Sequence, residues 1–144
     1  MEKEQIFQLI NANPAFSLAT IENGEPRVRI MALYKADETG IVFHTGPFKD
    51  VYKQMNTNKN VQMVFYDAKS NTQIRVRGEI KMTNDIELKR EISSHPSRGF
   101  MQGWKVGKTE EEFFSMFSVF RLKNGKANIW TFQTNFDKKV DIVL

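Results

Sequence analysis

Residues 43–53 read FHTGPFKDVYK, and this short run gathers the residue types that hold an anion. A strand-like run ends at Thr45 and the chain turns at Gly46. Phe48, Val51, Tyr52 and Met55 then recur at helical spacing, which predicts a helix over 47–56 with Pro47 at its first position. Free N–H groups at a helix start favour negative charge. Pro47 has none to offer, whereas Phe48 and Lys49 do. Lys49 and Lys53 stand four residues apart and share one face, and the Thr45 hydroxyl is a further donor. A Lys-x-x-x-Lys pair alone would be a solvated helix face. Beside a Thr-Gly-Pro turn it becomes a candidate phosphate site.

Two strand-like segments carry paired arginines. In PRVRIMALY (26–34), alternation puts Arg27, Arg29, Met31 and Leu33 on one face and Val28, Ile30, Ala32 and Tyr34 on the other. Arg27 and Arg29 are candidates for bidentate contacts to the anion. In TQIRVRGEIKM (72–82), Gln73, Arg75, Arg77 and Glu79 share a face. The competing reading for all four arginines is the wet face of an antiparallel strand, with Arg75 and Arg77 the better fits to it.

Other chemistry is sparse. The chain has no cysteine, which excludes disulfides, thiolate catalysis and Cys-based zinc. Its two histidines, His44 and His95, lack a neighbouring ligand at helical spacing, so no metal site is expected. Neither adjoins a serine or cysteine nucleophile, and Glu110-Glu111-Glu112 reads as a solvated helix start. If the chain is an enzyme, a bound cofactor carries the reaction.

The elements that must position these residues alternate in period. Ile6, Leu9 and Ile10 mark a helix over 3–12, stopped by Asn13-Pro14. Strands are expected at 16–21, 26–34, 41–45, 60–66 and 72–82, with Asn23-Gly24 as a hairpin turn. A helix over 84–93 would be capped by Asn84, and 94–111 reads as irregular. Strands over 113–122 and 126–132 would meet at Asn124-Gly125. Hairpin-linked strands argue for an antiparallel barrel.

With 144 residues, 40% hydrophobic and 26% charged, the composition is that of one soluble globular domain spanning 1–144. No apolar run reaches transmembrane length, and no membrane partner is expected. The stretch MEKEQIFQLI carries no signal-peptide pattern, which predicts a cytoplasmic protein. A net charge of +4 and 12% aromatics keep a nucleic-acid barrel under consideration. Arg75 and Arg77 alternate with Ile74 and Val76 rather than aromatics, which counts against it, and no nucleic-acid partner is expected.

Four segments in order resemble one family: PRVRIM (26–31), VFHTGPFKDVYKQM (42–55), NVQMVFYD (60–67) and TQIRVRGE (72–79). They are similar to the FMN-binding split barrels, which include pyridoxamine 5′-phosphate oxidase, general stress protein 26 and the nitroimidazole-resistance (Nim) proteins. The resemblance covers residues 5–82, with Trp130 a weaker match beyond. It implies a mainly β fold, a six-stranded antiparallel split β-barrel of Greek-key type with flanking helices. It also implies a homodimer holding FMN at the subunit interface. Arg27 resembles the strand arginine near the phosphate. Val28, Arg29 and Ile30 resemble the backbone run along the flavin. His44 and Thr45 resemble the start of the phosphate loop, and Lys49 and Lys53 its following basic residues. Gln73 resembles the strand glutamine reaching the flavin. Trp130 resembles a late aromatic from the other subunit, with a core tryptophan as the competing reading.

The departures bear on activity. The oxidase has Ser-Arg-Lys where this chain reads Lys49-Asp50-Val51, and the tail NFDKKVDIVL lacks the oxidase's Arg-Leu-x-Pro segment. The resemblance therefore favours the Nim and stress-protein branches over true pyridoxamine-phosphate oxidation. The function expected is that of an FMN-dependent oxidoreductase acting on a small molecule, with His44 a candidate substrate-side residue and no catalytic residue otherwise named. A strand histidine satisfied within the protein is the alternative for His44. A non-catalytic flavin- or haem-binding protein on the same barrel is the alternative function, with His44, His95 or a methionine as axial ligand. The residues do not separate FMN from a deazaflavin.

Overall fold

Alternating burial along the first strands builds a meander in the computed structural model, which describes residues 1–144. β1 (Ala15–Glu22) turns Phe16, Leu18 and Thr20 inward. It pairs antiparallel with β2 (Glu25–Asp37) through Asn23 and Gly24, whose φ angles of 52° and 77° are those of a tight hairpin turn. β3 (Gly40–Thr45) joins β2 only from Leu33 onward, past a bulge between Leu33 and Lys35. Residues 25–32 of β2 therefore have β1 on one side and no strand on the other.

β4 (Asn60–Asp67) returns beside β1, giving the order β4-β1-β2-β3 of a Greek key. β5 (Thr72–Thr83) pairs with β4, and β6 (Ser118–Leu122) joins β5 to β3. The circuit is a closed six-stranded antiparallel barrel: the residues predict the antiparallel barrel, and the family resemblance its six strands.

β7 (Lys126–Thr131) pairs with Thr72–Arg77 of β5, while β6 pairs with Ile80–Thr83. The two follow one another along β5, so Asn124-Gly125 joins them without making a hairpin. A Cβ on Gly125 would stand 2.6 Å from Val76 Cγ1 and 2.8 Å from Leu122 Cδ2. Only glycine lets the chain cross there. β8 (Ile142–Val143) adds to β7.

Phe16, Phe43, Phe65 and Phe120 fill the barrel with Leu18, Met63, Ile74 and Val76. α1 (Lys3–Ala12) packs Ile6, Phe7 and Ile10 against this core, and α2 (Asp50–Thr57) packs Val51 and Met55. α1 bonds to Ala36 and α2 to Thr20 and Glu22, so they sit by opposite ends of β1.

The remaining helices form a layer on Val42 and Val119, outside β3 and β6. α3 (Ile86–Ser94) is capped by Asp85, whose carboxylate accepts from Leu88 N–H, and not by Asn84. The 94–111 stretch expected to be irregular holds a 3₁₀ turn (Pro96–Met101) and α4 (Gln102–Lys105). The expected 113–122 strand begins only at Ser118. Its first residues belong to α5 (Glu110–Phe114), started by a capping box in which Thr109 and Glu112 bond each other's backbone. Phe113, Phe114 and Phe117 all enter the cluster with Leu88 and Ile92. No helix is long and apolar enough to cross a membrane.

Candidate functional site

Thr45 closes β3 and is 5% exposed. Its hydroxyl oxygen is buried and makes no hydrogen bond. The next residues form a turn in which Lys49 N–H donates to Gly46 C=O at 3.1 Å. Lys49 is thus the extended N-cap of α2, with φ −85° and ψ 151°. The helix begins at Asp50, three residues later than the spacing predicts, and Pro47 lies in the turn. Lys49 N–H, expected to face a ligand, is already used. The free donors are the first-turn amides of Asp50, Val51 and Tyr52, because no side chain caps α2. Lys49 and Lys53 are exposed and neither forms an ion pair.

His44 precedes Thr45 on β3 and is half-buried. Arg98 Nε donates to His44 Nε2 at 2.9 Å, and the imidazole meets the Phe117 ring edge-on. Burial, reinforced by the positive charges of Arg98 and Lys49, pushes His44 down to about 4. The ring is therefore neutral at physiological pH.

Arg29 turns inward. It donates to Thr20 Oγ1 at 2.8 Å, to Leu18 C=O at 3.2 Å and to Gln54 Oε1 at 2.5 Å. Gln54, buried on α2, also accepts from the Thr20 hydroxyl and donates to Glu22 at 3.0 Å. Burial lowers the Arg29 guanidinium from its ordinary value, while Asp50 and Glu22 raise it. Arg29 thus ties β1 and β2 to α2 beside the turn. Arg27 lies on the hairpin surface and pairs with Glu25 at 3.1 Å and Glu22 at 3.6 Å.

The opposite face of β2 is apolar and open: Val28 is 71% and Ile30 68% exposed. This reverses the wet-face alternative, since Arg29 is the inner residue and the aliphatic side chains are the outer ones. Cross-strand register extends that outer face through Ser17, Val64 and Arg75 in line with Ile30. Gln73 and Trp130 are direct cross-strand neighbours on β5 and β7. Gln73 accepts from Arg75, and Trp130 Nε1–H donates to Asn135. β4 and β1 separate this pair from β2. Within one protomer, therefore, Thr45, Lys49 and Lys53 share the β3–α2 turn and the start of α2, and Arg29 braces that helix through Gln54. His44, on the other face of β3 against Phe117 and Arg98, lies within reach of the Lys49 charge, whereas Gln73 and Trp130 stand apart. Arg77 pairs with Asp141, as its strand position suggested.

The outer face also carries a cleft of about 540 Å³ between Ala19, Pro26, Gln62 and Arg77. It does not reach Thr45 or Lys49. No three His, Asp or Glu side chains stand close enough to hold a metal ion.

Gln54, Thr20 and Arg98 complete the neighbourhood and were not legible as site residues. Gln54 had one signal, a polar residue three positions after Val51 on the apolar stripe of α2. Arg98 had none, being 54 positions from its partner His44.

The sequence model described as pyridoxamine 5′-phosphate oxidase matches residues 2–131. The chain belongs to the pyridoxamine 5′-phosphate oxidase family. A pyridoxine/pyridoxamine 5′-phosphate oxidase from Burkholderia mallei is 34% identical over 89 residues, which cover 61% of this chain and 42% of the relative. The chain thus spans less than half the length of the curated oxidases it matches. A NimC/NimA-family protein from Clostridium acetobutylicum superposes with a TM-score of 0.75 at 21% identity, covering 98% of this chain and 92% of that one. General stress protein 26 from Bacillus anthracis superposes at 0.71 with 17% identity, covering 99% and 98%. A pyridoxamine 5′-phosphate oxidase-related, FMN-binding protein from Nostoc punctiforme does so at 0.64 with 15% identity, covering 99% and 95%. At these identities the structures establish the shared fold of the oxidase-family barrel.

Proposed function

We propose that this chain binds FMN through its phosphate at the 45–53 turn and works as a homodimeric, FMN-dependent oxidoreductase on a small molecule. One observation carries the reading. A buried, unpartnered Thr45 hydroxyl ends β3, and the turn that follows leads directly to three uncapped α2 amides and two lysines without ion pairs. Buried polar groups are normally satisfied, and an orphaned donor set of this kind fits a phosphate. The family and the FMN-binding protein of the same fold make FMN the matching anion.

In this reading Thr45, the 50–52 amides, Lys49 and Lys53 hold the phosphate. The backbone of Val28–Ile30 runs along the ring. Arg29 keeps that strand in place and lends positive charge to its surroundings, which favours a reduced, anionic ring. FMN, when bound, supplies acceptance and transfer of electrons; the chain orients it and leaves a face open for substrate. A second copy would cover Val28 and Ile30 and bring its own Gln73 and Trp130 toward the ring, which one protomer's topology does not do. The haem alternative has less support: His44 Nε2 is engaged by Arg98, and His95 Nδ1 by Ser97.

The test is the absorption spectrum of the purified protein before and after FMN addition and dithionite. Flavin bands that bleach on reduction support the reading. A colourless protein whose melting temperature ignores added FMN rejects it, and a Soret band would replace it with haem.

A further inference from the structure

We propose that Arg98 is a positioning residue for this site: by donating its Nε–H to His44 Nε2 it fixes the imidazole as the Nδ1–H tautomer, a lone hydrogen-bond donor for an acceptor atom of the ligand held at the 45–53 turn. This rests on the reading of that turn as the ligand site.

A guanidinium Nε always carries its proton, so the nitrogen it meets at 2.9 Å must be bare. The proton of a neutral imidazole then sits on Nδ1. Nδ1 of His44 forms no hydrogen bond within the chain, whereas His95, by contrast, spends its Nδ1 on Ser97.

Arg98 cannot readily drift. It is 6% exposed, its Nη2 donates to Leu33 C=O at 3.0 Å, and its Nη1 donates to Ser97 Oγ at 3.1 Å. Its guanidinium carbon sits 5.3 Å from the centre of the Tyr34 ring. No carboxylate pairs with it. A buried arginine without an acidic partner is a poor stabilising device, since an apolar residue of similar size avoids its desolvation cost. Its bonds go to a carbonyl, a hydroxyl and the ring nitrogen of His44.

The charges around the imidazole agree. Arg98 faces it from the 96–101 turn and Lys49 from the start of α2. Beyond Arg98, the Tyr34 hydroxyl donates to Glu91, and the His95 ring lies edge-on to Tyr34. No acid bonds His44. Both cations and burial oppose a second proton, so His44 donates a hydrogen bond without acting as a general acid near neutral pH.

The experiment is ¹⁵N NMR of histidine-labelled protein, with and without FMN, from pH 5 to 9. The proposal expects His44 locked with Nδ1 protonated and Nε2 bare, with no titration above pH 5. Arg98→Met should release it to a tautomer mixture and raise its titration only part of the way, since burial and Lys49 still hold it below the ordinary value, and Arg98→Lys, which keeps a donor, should restore the lock. A wild-type ring protonated at Nε2, or a lock that Arg98→Met leaves intact in a folded protein, overturns the proposal. So does FMN binding that leaves the His44 Nδ1–H resonance unmoved. If FMN shifts no 45–53 amide resonance of a uniformly ¹⁵N-labelled sample, the flavin reading fails by itself, and the Arg98 variants still decide the tautomer lock.

Discussion

Replacing Gln54 by Leu tests whether Arg29 is structural or free for a ligand. The substitution removes the acceptor shared by Arg29 Nη2 and the Thr20 hydroxyl, both at 2.5 Å, and the donor to Glu22. The bond from the guanidinium is charge-assisted and worth roughly 1.5–3 kcal/mol, and that from buried Thr20 about 1 kcal/mol. The contact to half-exposed Glu22 adds little. Leucine burial returns about 1 kcal/mol. The net cost is therefore about 1.5–3 kcal/mol, or roughly 5–10 °C in melting temperature for a chain of this size. Urea denaturation at pH 7 should show the midpoint falling with an unchanged slope. Gln54→Glu keeps the acceptor but sets a second carboxylate against Glu22. It should recover most of the loss near pH 5 and less at pH 8. If Gln54→Leu lies within about 0.5 kcal/mol of wild type, the hub does not hold Arg29 and the scaffold role assigned to it is wrong.

Other outcomes follow from the same geometry. The folded His44 titrates near 4 against 6.5 unfolded, so its contribution is complete above pH 6.5 and is lost as pH falls toward 4. Lowering pH from 7 to 5 should cost wild type roughly 2 kcal/mol more than His44→Gln; parallel stability curves would contradict this. Gly125→Ala forces a Cβ against Val76 and Leu122 and should destabilise by about 1–3 kcal/mol in thermal unfolding. Val28→Glu with Ile30→Glu should leave a folded monomer in sedimentation, with weakened FMN binding; a dimer that persists would place the interface elsewhere.

Much of the barrel was readable because local chemistry and global fold agree there. Asn23-Gly24 demands its turn, and the 16–45 meander follows from alternation alone. The errors arose where two local rules compete. Pro47 suits a helix start, but the Lys49-to-Gly46 turn bond delays the helix to Asp50. Phe113, Phe114 and Phe117 look like strand residues, yet the Thr109–Glu112 capping box starts a helix and the rings pack outside β3. Alternation along β2 separated two faces without saying which turns inward. Arginine points in because Thr20 and Gln54, on other elements, satisfy it. Of the site, Thr45, Lys49 and Lys53 were legible as one local motif. Arg98 reaches His44 only through the tertiary fold, and nothing near position 98 in the chain announces it.

The central claim is a flavin held by its phosphate at the 45–53 turn. Its most direct measurement is fluorescence titration of FMN and of riboflavin, which lacks the phosphate, into wild type and the Lys49→Ala, Lys53→Ala double variant. Wild type should prefer FMN, and the double variant should lose FMN affinity by about tenfold or more, each charge-assisted contact being worth roughly 1 kcal/mol, while riboflavin binding stays unchanged. Equal affinity of wild type for the two ligands, or equal weakening of both in the variant, would contradict the account.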